Sequence, residues 1–527
     1  MTGWKKAAAA LMLFGVCTAH SQQVTGARPR FNATVQPNLM KLMQAGALRY
    51  DGPVSLVYTK ENAPATPKLD DLALAETVSQ YGITWTFDRK ARIGRFITGD
   101  WYVVGPVTVV KIDPKPLFGK EVVDAGWQLV NEGSVKEDRY KDQWCRNGST
   151  LNQPVTTPLG GFDSRLSDGH YDPKQVAHLP ISMKPGDALI STISAPEPID
   201  HRGYGHPVMT AAVLTCLAEP VPADAFRPAY CDRQQKIYLA RNLHRELLYS
   251  LPRTAHAPSS LTEWARWFQR PWLDTVSWGY ASPELNMPRY GQSITHGSSH
   301  AALILHLDYP AVEKEQLLVH FVQYGIDLWG IVRAGSKGWM GHGGFGQGRK
   351  CAVIFAGILL GDDEMREPNR AYPNVVFGED TQTSFGKSWT GHDVLFASHP
   401  AWIANTKPFK HPETFEPSKW KEVREQDRWC NAYQSDSYRR CCTSIEWPGE
   451  CLAMRLMRAE KYWNHDPFFA YVDRWMEQED IKATAKIVNE AMGSPGGWTE
   501  RQEKTNAFFQ EMWTTYRHNL PEPLQKK

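Results

Sequence analysis

The sequence predicts an α+β multidomain chain: an N-terminal antiparallel β-sandwich followed by a C-terminal α/α toroid or helical barrel. Three observations point there. Between residues 81 and 218, short β-branched and aromatic runs alternate with turn dipeptides such as Gly99-Asp100 and Gly105-Pro106. A proline-rich stretch, AEPVPADAFRPAYCD (Ala218–Asp232), then interrupts all regular patterning. From residue 236 to 520, wholly apolar runs alternate with amphipathic ones, as in a ring of helical hairpins whose inner members are apolar all round.

Each element follows from local chemistry. Lys5 and Lys6 precede the apolar run Ala7–Val16, and Ala19 and Ser21 stand at a small-residue cleavage site. Residues 1–21 therefore read as a signal peptide cut near Ser21/Gln22, which implies a secreted or periplasmic protein. The apolar run is too short to span a bilayer. Residues 22–80 read as a proline-rich arm with one helical stretch, Asn38–Leu48. In the 81–218 domain the expected strands are Ile83–Phe87, Arg92–Thr98, Trp101–Gly105, Val107–Ile112, Gly126–Val130, His178–Met183, Ala188–Ser194 and Val208–Ala218. Two long polar loops, Thr156–Asp172 and Pro198–Pro207, either overhang a neighbouring cleft or connect strands at the surface. Residues 219–235 read as an interdomain linker. The expected helices of the 236–520 domain are Ile237–Leu251, Ser259–Leu273, His300–Leu307, Val312–Val332, Lys350–Gly361, Pro448–Trp463, Phe468–Gln478 and Thr505–His518; residues 521–527 form a tail. In this set Val312–Val332 reads as amphipathic, whereas Lys350–Gly361 reads as buried.

Composition narrows the function classes. A hydrophobic share of 42% with 22% charge is that of a soluble globular protein. The 59 basic and 57 acidic residues leave a net charge of +2, too small a field to steer the chain to nucleic acid or an anionic membrane. Trp, Tyr and Phe occur 20 times each, which suits either a large aromatic core or a protein whose flat rings stack on sugars. Cys17 aside, four of the remaining cysteines fall between Cys430 and Cys451, so a local disulfide is expected there. A four-cysteine zinc site would need a C-x2-C pair, and none is present.

The candidate chemistry gathers between Asn286 and Lys350. His296 and His300 stand four apart and share a helix face, as general bases or as histidines packed at a helix start. Their spacing is that of a zinc protease, but Gly297 stands where that signature needs glutamate, so no metal is expected. Tyr290 is a candidate acid–base partner, and Asn286 and Gln292 are residue types that hold a carboxylate. The glycine-rich run Gly338–Lys350 lacks the G-K-[ST] of a phosphate loop. It offers Trp339, His342 and Lys350 for substrate contact, and Arg349 for gripping a carboxylate with two N–H groups. Arg165 in the first polar loop and His392 in Gly378–Asp393 complete the set. The same segment holds Glu379 and Asp393, a candidate glycosidase pair. No cofactor is called for.

An export signal, abundant tryptophan, a β-rich module and a helical module with His, Tyr and Arg in its loops resemble secreted bacterial polysaccharide-degrading enzymes, in particular uronate polysaccharide lyases of α/α-toroid type. The resemblance implies β-elimination on an anionic polysaccharide. Arg349 or Gln292 would neutralise the uronate carboxylate, His296 or His300 would take the C5 proton, and Tyr290 would protonate the leaving oxygen. The alternatives are a glycoside hydrolase working through paired carboxylates and a carbohydrate-binding protein without catalysis.

Overall fold

The fold is that of a computed structural model describing residues 52–124, 143–156, 160–166, 171–195, 207–275, 283–288, 290–400, 411–426, 432–493, 501 and 503–523. The expected signal peptide, the helical stretch Asn38–Leu48 and the strand Gly126–Val130 lie outside these residues, as do much of the two polar loops.

The β-rich half is a single curled sheet in place of the two facing sheets of a sandwich. Its strands are β1 (Ala73–Gln80), β2 (Ile83–Arg95), β3 (Trp101–Val104), β4 (Val107–Asp113), β7 (Ser149–Leu151), β8 (Ile181–Met183), β9 (Ala188–Ser194) and β10 (Val208–Leu217). A two-stranded ribbon, β5 (Leu117–Phe118) with β6 (Cys145–Arg146), stands apart. The order is β7-β9-β10-β3-β2-β4-β8, with β1 also on β2. All pairings are antiparallel except β3 with β10.

The curl explains the missing second sheet. β2 is one strand of 13 residues where the sequence suggests two, because Asp88, Arg89 and Lys90 are the exposed middle of a bent strand and not a turn. Its register with β1 shifts between Ala75 and Thr77, and its register with β4 slips by a residue between Thr86 and Phe87; such bulges bend a strand and increase its twist. The concave face then closes on itself around Trp85, Val103, Val109, Leu189 and Leu214. The alternate residues Ile190, Ala211 and Val213 point the other way, into the core of the helical half.

Helices dominate from residue 262 on: α1 (Thr262–Phe268), α2 (Gly291–Ile304), α3 (Ala311–Arg333), α4 (Arg349–Leu360), α5 (Ala432–Cys441), α6 (Trp447–Leu456), α7 (Asp466–Asp473), α8 (Ile481–Met492) and α9 (Ala507–Tyr516). A hairpin, β11 (Thr383–Phe385) with β12 (Val394–Phe396), lies among them. Helix α3 is not amphipathic as expected: every residue from Leu317 to Val332 is buried, polar Gln323 and Asp327 included. The leucine stripe of 237–251 forms no α-helix. It is an irregular ribbon with two single turns, Ala240–Asn242 and Arg245–Leu247, tied down by Arg241 to Asp224 and Arg245 to Glu315. Leu239, Leu243 and Leu247, four apart, thus also fit successive short turns.

The proline-rich run read as a linker is itself core. Ala225, Phe226, Ala229, Tyr230 and Cys231 are buried. Between them Arg227 joins the two halves, donating from Nε to Asp100 at 2.7 Å and from Nη1 to Asp327 on α3 at 3.0 Å. The arm also lies against the helical half, with Val54 buried and its carbonyl accepting from Gln316 on α3.

Candidate active site

The glycine-rich run at 338–348 is the centre of the site, and its two sides differ. One side carries His342 and Phe345 toward a half-buried cluster. The other packs against a short helix, Gly378–Gln382, and a fully buried acidic group.

On the first side, Tyr290 caps the start of α2, and its hydroxyl oxygen accepts the N–H of Gly344 at 2.9 Å. Its ring meets Phe345 edge-on, with centroids 4.7 Å apart. His342 lies edge-to-face with His399 at 4.6 Å, and His399 with Tyr438 at 4.8 Å. Gln292 donates from Nε2 to the carbonyl of Cys441 at 2.9 Å. Glycine is required where these groups converge. Gly343 has a positive φ of 56° and a Cβ there would strike the Tyr438 ring, while one on Gly344 would sit 2.5 Å from the Tyr290 hydroxyl. Burial holds His342 down to about 4 and His399, beside it, to about 3, so both imidazoles are neutral at ordinary pH. His399 Nδ1 pairs with the Ser398 hydroxyl at 2.8 Å, which fixes its ring.

On the second side, Glu379 accepts the Gly348 N–H at 2.5 Å, and Gln382 donates to the carbonyls of Gly343 and Ser398. Behind Glu379 stands Glu450 of α6, fully buried, with neither carboxyl oxygen meeting an N–H or O–H donor. Two such carboxyls are satisfied only when one is protonated and donates to the other. Burial accordingly raises Glu379 to about 7 and Glu450 well above its ordinary value. Lys350 pairs with Asp380 close by, and the Trp463 indole N–H donates to Asp380 at 2.9 Å.

Several residues that the sequence offers as site groups are core groups. Arg349 is fully buried and spends two N–H groups on Asp274, at 2.9 and 2.8 Å, so it grips no substrate carboxylate. Lys350 is equally buried in its pair with Asp380. His300 stacks on Trp264 at 4.6 Å and on Phe508 at 5.2 Å, donates from Nδ1 to the His296 carbonyl, and is held well below the ordinary histidine value by burial. His296 faces Glu446 at 3.0 Å in the same aromatic setting. Along an α-helix, ten residues span about 15 Å, so Tyr290 and His300 cannot work on one bond. Trp339 is fully buried and donates to the Asp274 carbonyl. Asn286 is buried too, donating to the carbonyls of Trp267 and Arg270. Arg165 is tied to Asp163 in the β-rich half, and His392 contacts the Thr390 hydroxyl outside the cluster. The glycosidase pair also separates: Glu379 is buried, whereas the Asp393 side chain is 83% exposed and pairs with Lys387.

What remains together from the sequence-based set is Tyr290, Gln292 and His342. The structure adds His399 and sets Tyr438, a tyrosine the sequence also offers beside the cysteines of 428–442, against it. His399, in FASHP, carries no spacing signal toward residue 342 and becomes visible only once Gly343 N–H bonds the Ser398 carbonyl. The expected local disulfide is Cys441–Cys442, between neighbours in sequence; Cys451 is buried with a free thiol, and Cys430 lies outside the described residues. Among the described residues no three His, Cys, Asp or Glu side chains are placed to share a metal ion, and no helix is long and apolar enough to cross a membrane. Compared with family models, curated proteins and solved structures, the chain matches none.

Proposed function

We propose that this chain is an exported polysaccharide lyase that cleaves a uronic-acid polymer by β-elimination at the Tyr290–His342–His399 cluster. One observation carries the reading: a tyrosine hydroxyl held by a backbone N–H lies in the same half-buried cluster as two neutral imidazoles. Elimination needs a base and an acid that work without a metal, and neutral His with Tyr is such a pair. His342 takes the proton from C5 of the uronate, the C4–O bond breaks as the C4–C5 double bond forms, and Tyr290 gives its proton to the leaving oxygen. Gln292 replaces Arg349 as the group that meets the uronate carboxylate. His399, fixed by Ser398, lies edge-on to His342 and sets its ring plane. The α/α toroid expectation goes with this reading, supported by α3 from Leu317 to Val332 and α4 from Arg349 to Leu359 being buried on all sides while α8 keeps an exposed face.

The test is a panel of uronans incubated with the purified chain. An unsaturated uronate product absorbs in the ultraviolet, and that rise, lost in Tyr290→Phe, is the expected result. New reducing ends without the rise would mean hydrolysis and would end the lyase reading. The aromatic rings of Tyr290, Phe345 and Tyr438 in one cluster favour a second reading, carbohydrate binding without turnover. It takes over if a uronan binds and neither signal develops.

A further inference from the structure

We propose that Cys441–Cys442 is a thiol–disulfide exchange site for a dithiol reductant, and that opening it loosens the cluster described above. The bridge closes the C-terminus of α5, where sequence neighbours are joined sulfur to sulfur. Cys441 is buried and Cys442 half-exposed, so an incoming thiolate reaches Cys442 first. The other cysteines with free thiols, Cys145, Cys216, Cys231, Cys351 and Cys451, are all buried, which leaves this bridge as the accessible cysteine pair among the described residues.

Its backbone is also a support of the site. The Cys441 carbonyl accepts from Gln292, and the Cys442 N–H and Thr443 hydroxyl both donate to the Tyr438 carbonyl. The Cys442 carbonyl lies beside Gly344, whose N–H holds Tyr290. A change in the peptide between the two cysteines therefore reaches Gln292, Tyr438 and Tyr290 together.

The exchange balances as follows. One thiolate of the dithiol attacks the Cys442 sulfur, the Cys441–Cys442 bond breaks, and Cys441 leaves as a thiolate that takes up a proton. The dithiol's second thiol, as thiolate, then attacks the mixed disulfide, releasing Cys442 as a thiolate that is protonated in turn. The reductant leaves as a cyclic disulfide, oxidised by two electrons, and the protein holds two thiols.

The test is thiol mapping on the full folded chain, using dithiothreitol as the probe and an alkylating reagent under native conditions. Before reduction, neither Cys441 nor Cys442 is expected to label; afterwards both label, while the five buried thiols stay unlabelled until the protein is denatured. Hydrogen–deuterium exchange should rise on reduction in peptides covering 290–293 and 438–444, and the Cys441→Ser/Cys442→Ser double variant should show that faster exchange without reductant. The proposal is overturned if the pair labels before reduction, resists dithiol in the folded protein, or proves to be bonded to Cys430. It is equally overturned if exchange in those peptides is unchanged. The control of substrate handling rests on the lyase reading, but none of these readouts needs a substrate, so failure of that reading would leave the mapping result standing.

Discussion

Glu379, on the short helix Gly378–Gln382, and Glu450, on α6, meet carboxyl to carboxyl with neither side chain exposed. The relationship makes stability depend on pH in a definite direction. In the unfolded chain both groups ionise near the ordinary glutamate value of 4.5; in the folded chain burial holds Glu379 up to about 7 and Glu450 well above its ordinary value. The folded protein thus keeps protons that the unfolded chain has lost, and stability falls as pH rises from about 5 through 7. For Glu379 this is a loss on the order of 3 kcal/mol. Glu450→Gln should flatten the decline and raise the urea midpoint at alkaline pH. A variant with the wild-type pH slope would show that the pair is not the cause.

Arg349 with Asp274 is the opposite case, a buried pair whose charges satisfy each other. Removing one partner leaves a lone buried charge, so Arg349→Met should cost about 3–5 kcal/mol in a denaturant titration, and Arg349→Met with Asp274→Leu markedly less. If Arg349→Met folded with wild-type stability but lost turnover, the arginine would be a substrate group after all.

Tyr290→Phe removes the oxygen that accepts the Gly344 N–H. We expect the thermal midpoint to move little and turnover of the responsive uronan to fall roughly 10²-fold or more. His300→Asn should do the reverse, lowering the midpoint while leaving the pH profile of any surviving activity unchanged. Equal loss of turnover in the two folded variants would count against Tyr290 as the acid.

His342 is neutral until pH falls to about 4. A base must be unprotonated, so turnover should hold through neutral pH and drop on the acid side as His342 gains its proton. His342→Gln should abolish turnover across the range. An acid limb that persists in His342→Gln would assign the titration to another group.

The outline of the fold was legible because strands and buried helices announce themselves in composition. Ala188–Ser194 and Lys350–Gly361 are found nearly where the pattern puts them. The single sheet was not legible, since the bulges that bend β2 leave no mark in Asp88-Arg89-Lys90 that distinguishes a bend from a turn. Of the site, His342 and Tyr290 stood out as chemistry-bearing side chains set beside glycines, and both are only half-buried. His300 and Arg349 carried equally strong chemistry, yet their partners, Trp264 and Asp274, are distant in sequence and decide their burial. Glu450 sits in the apolar run PGECLAM and has meaning only beside Glu379.

Arg227 has a consequence for how the molecule comes apart. One guanidinium holds a carboxylate from each half, and the run around it is packed into the helical core. Cutting the chain at 219–235 would strip Asp100 and Asp327 of their shared partner and expose the apolar outer face of β9 and β10. The two halves should therefore melt in one cooperative transition, and the sheet expressed alone should aggregate instead of folding as an autonomous module.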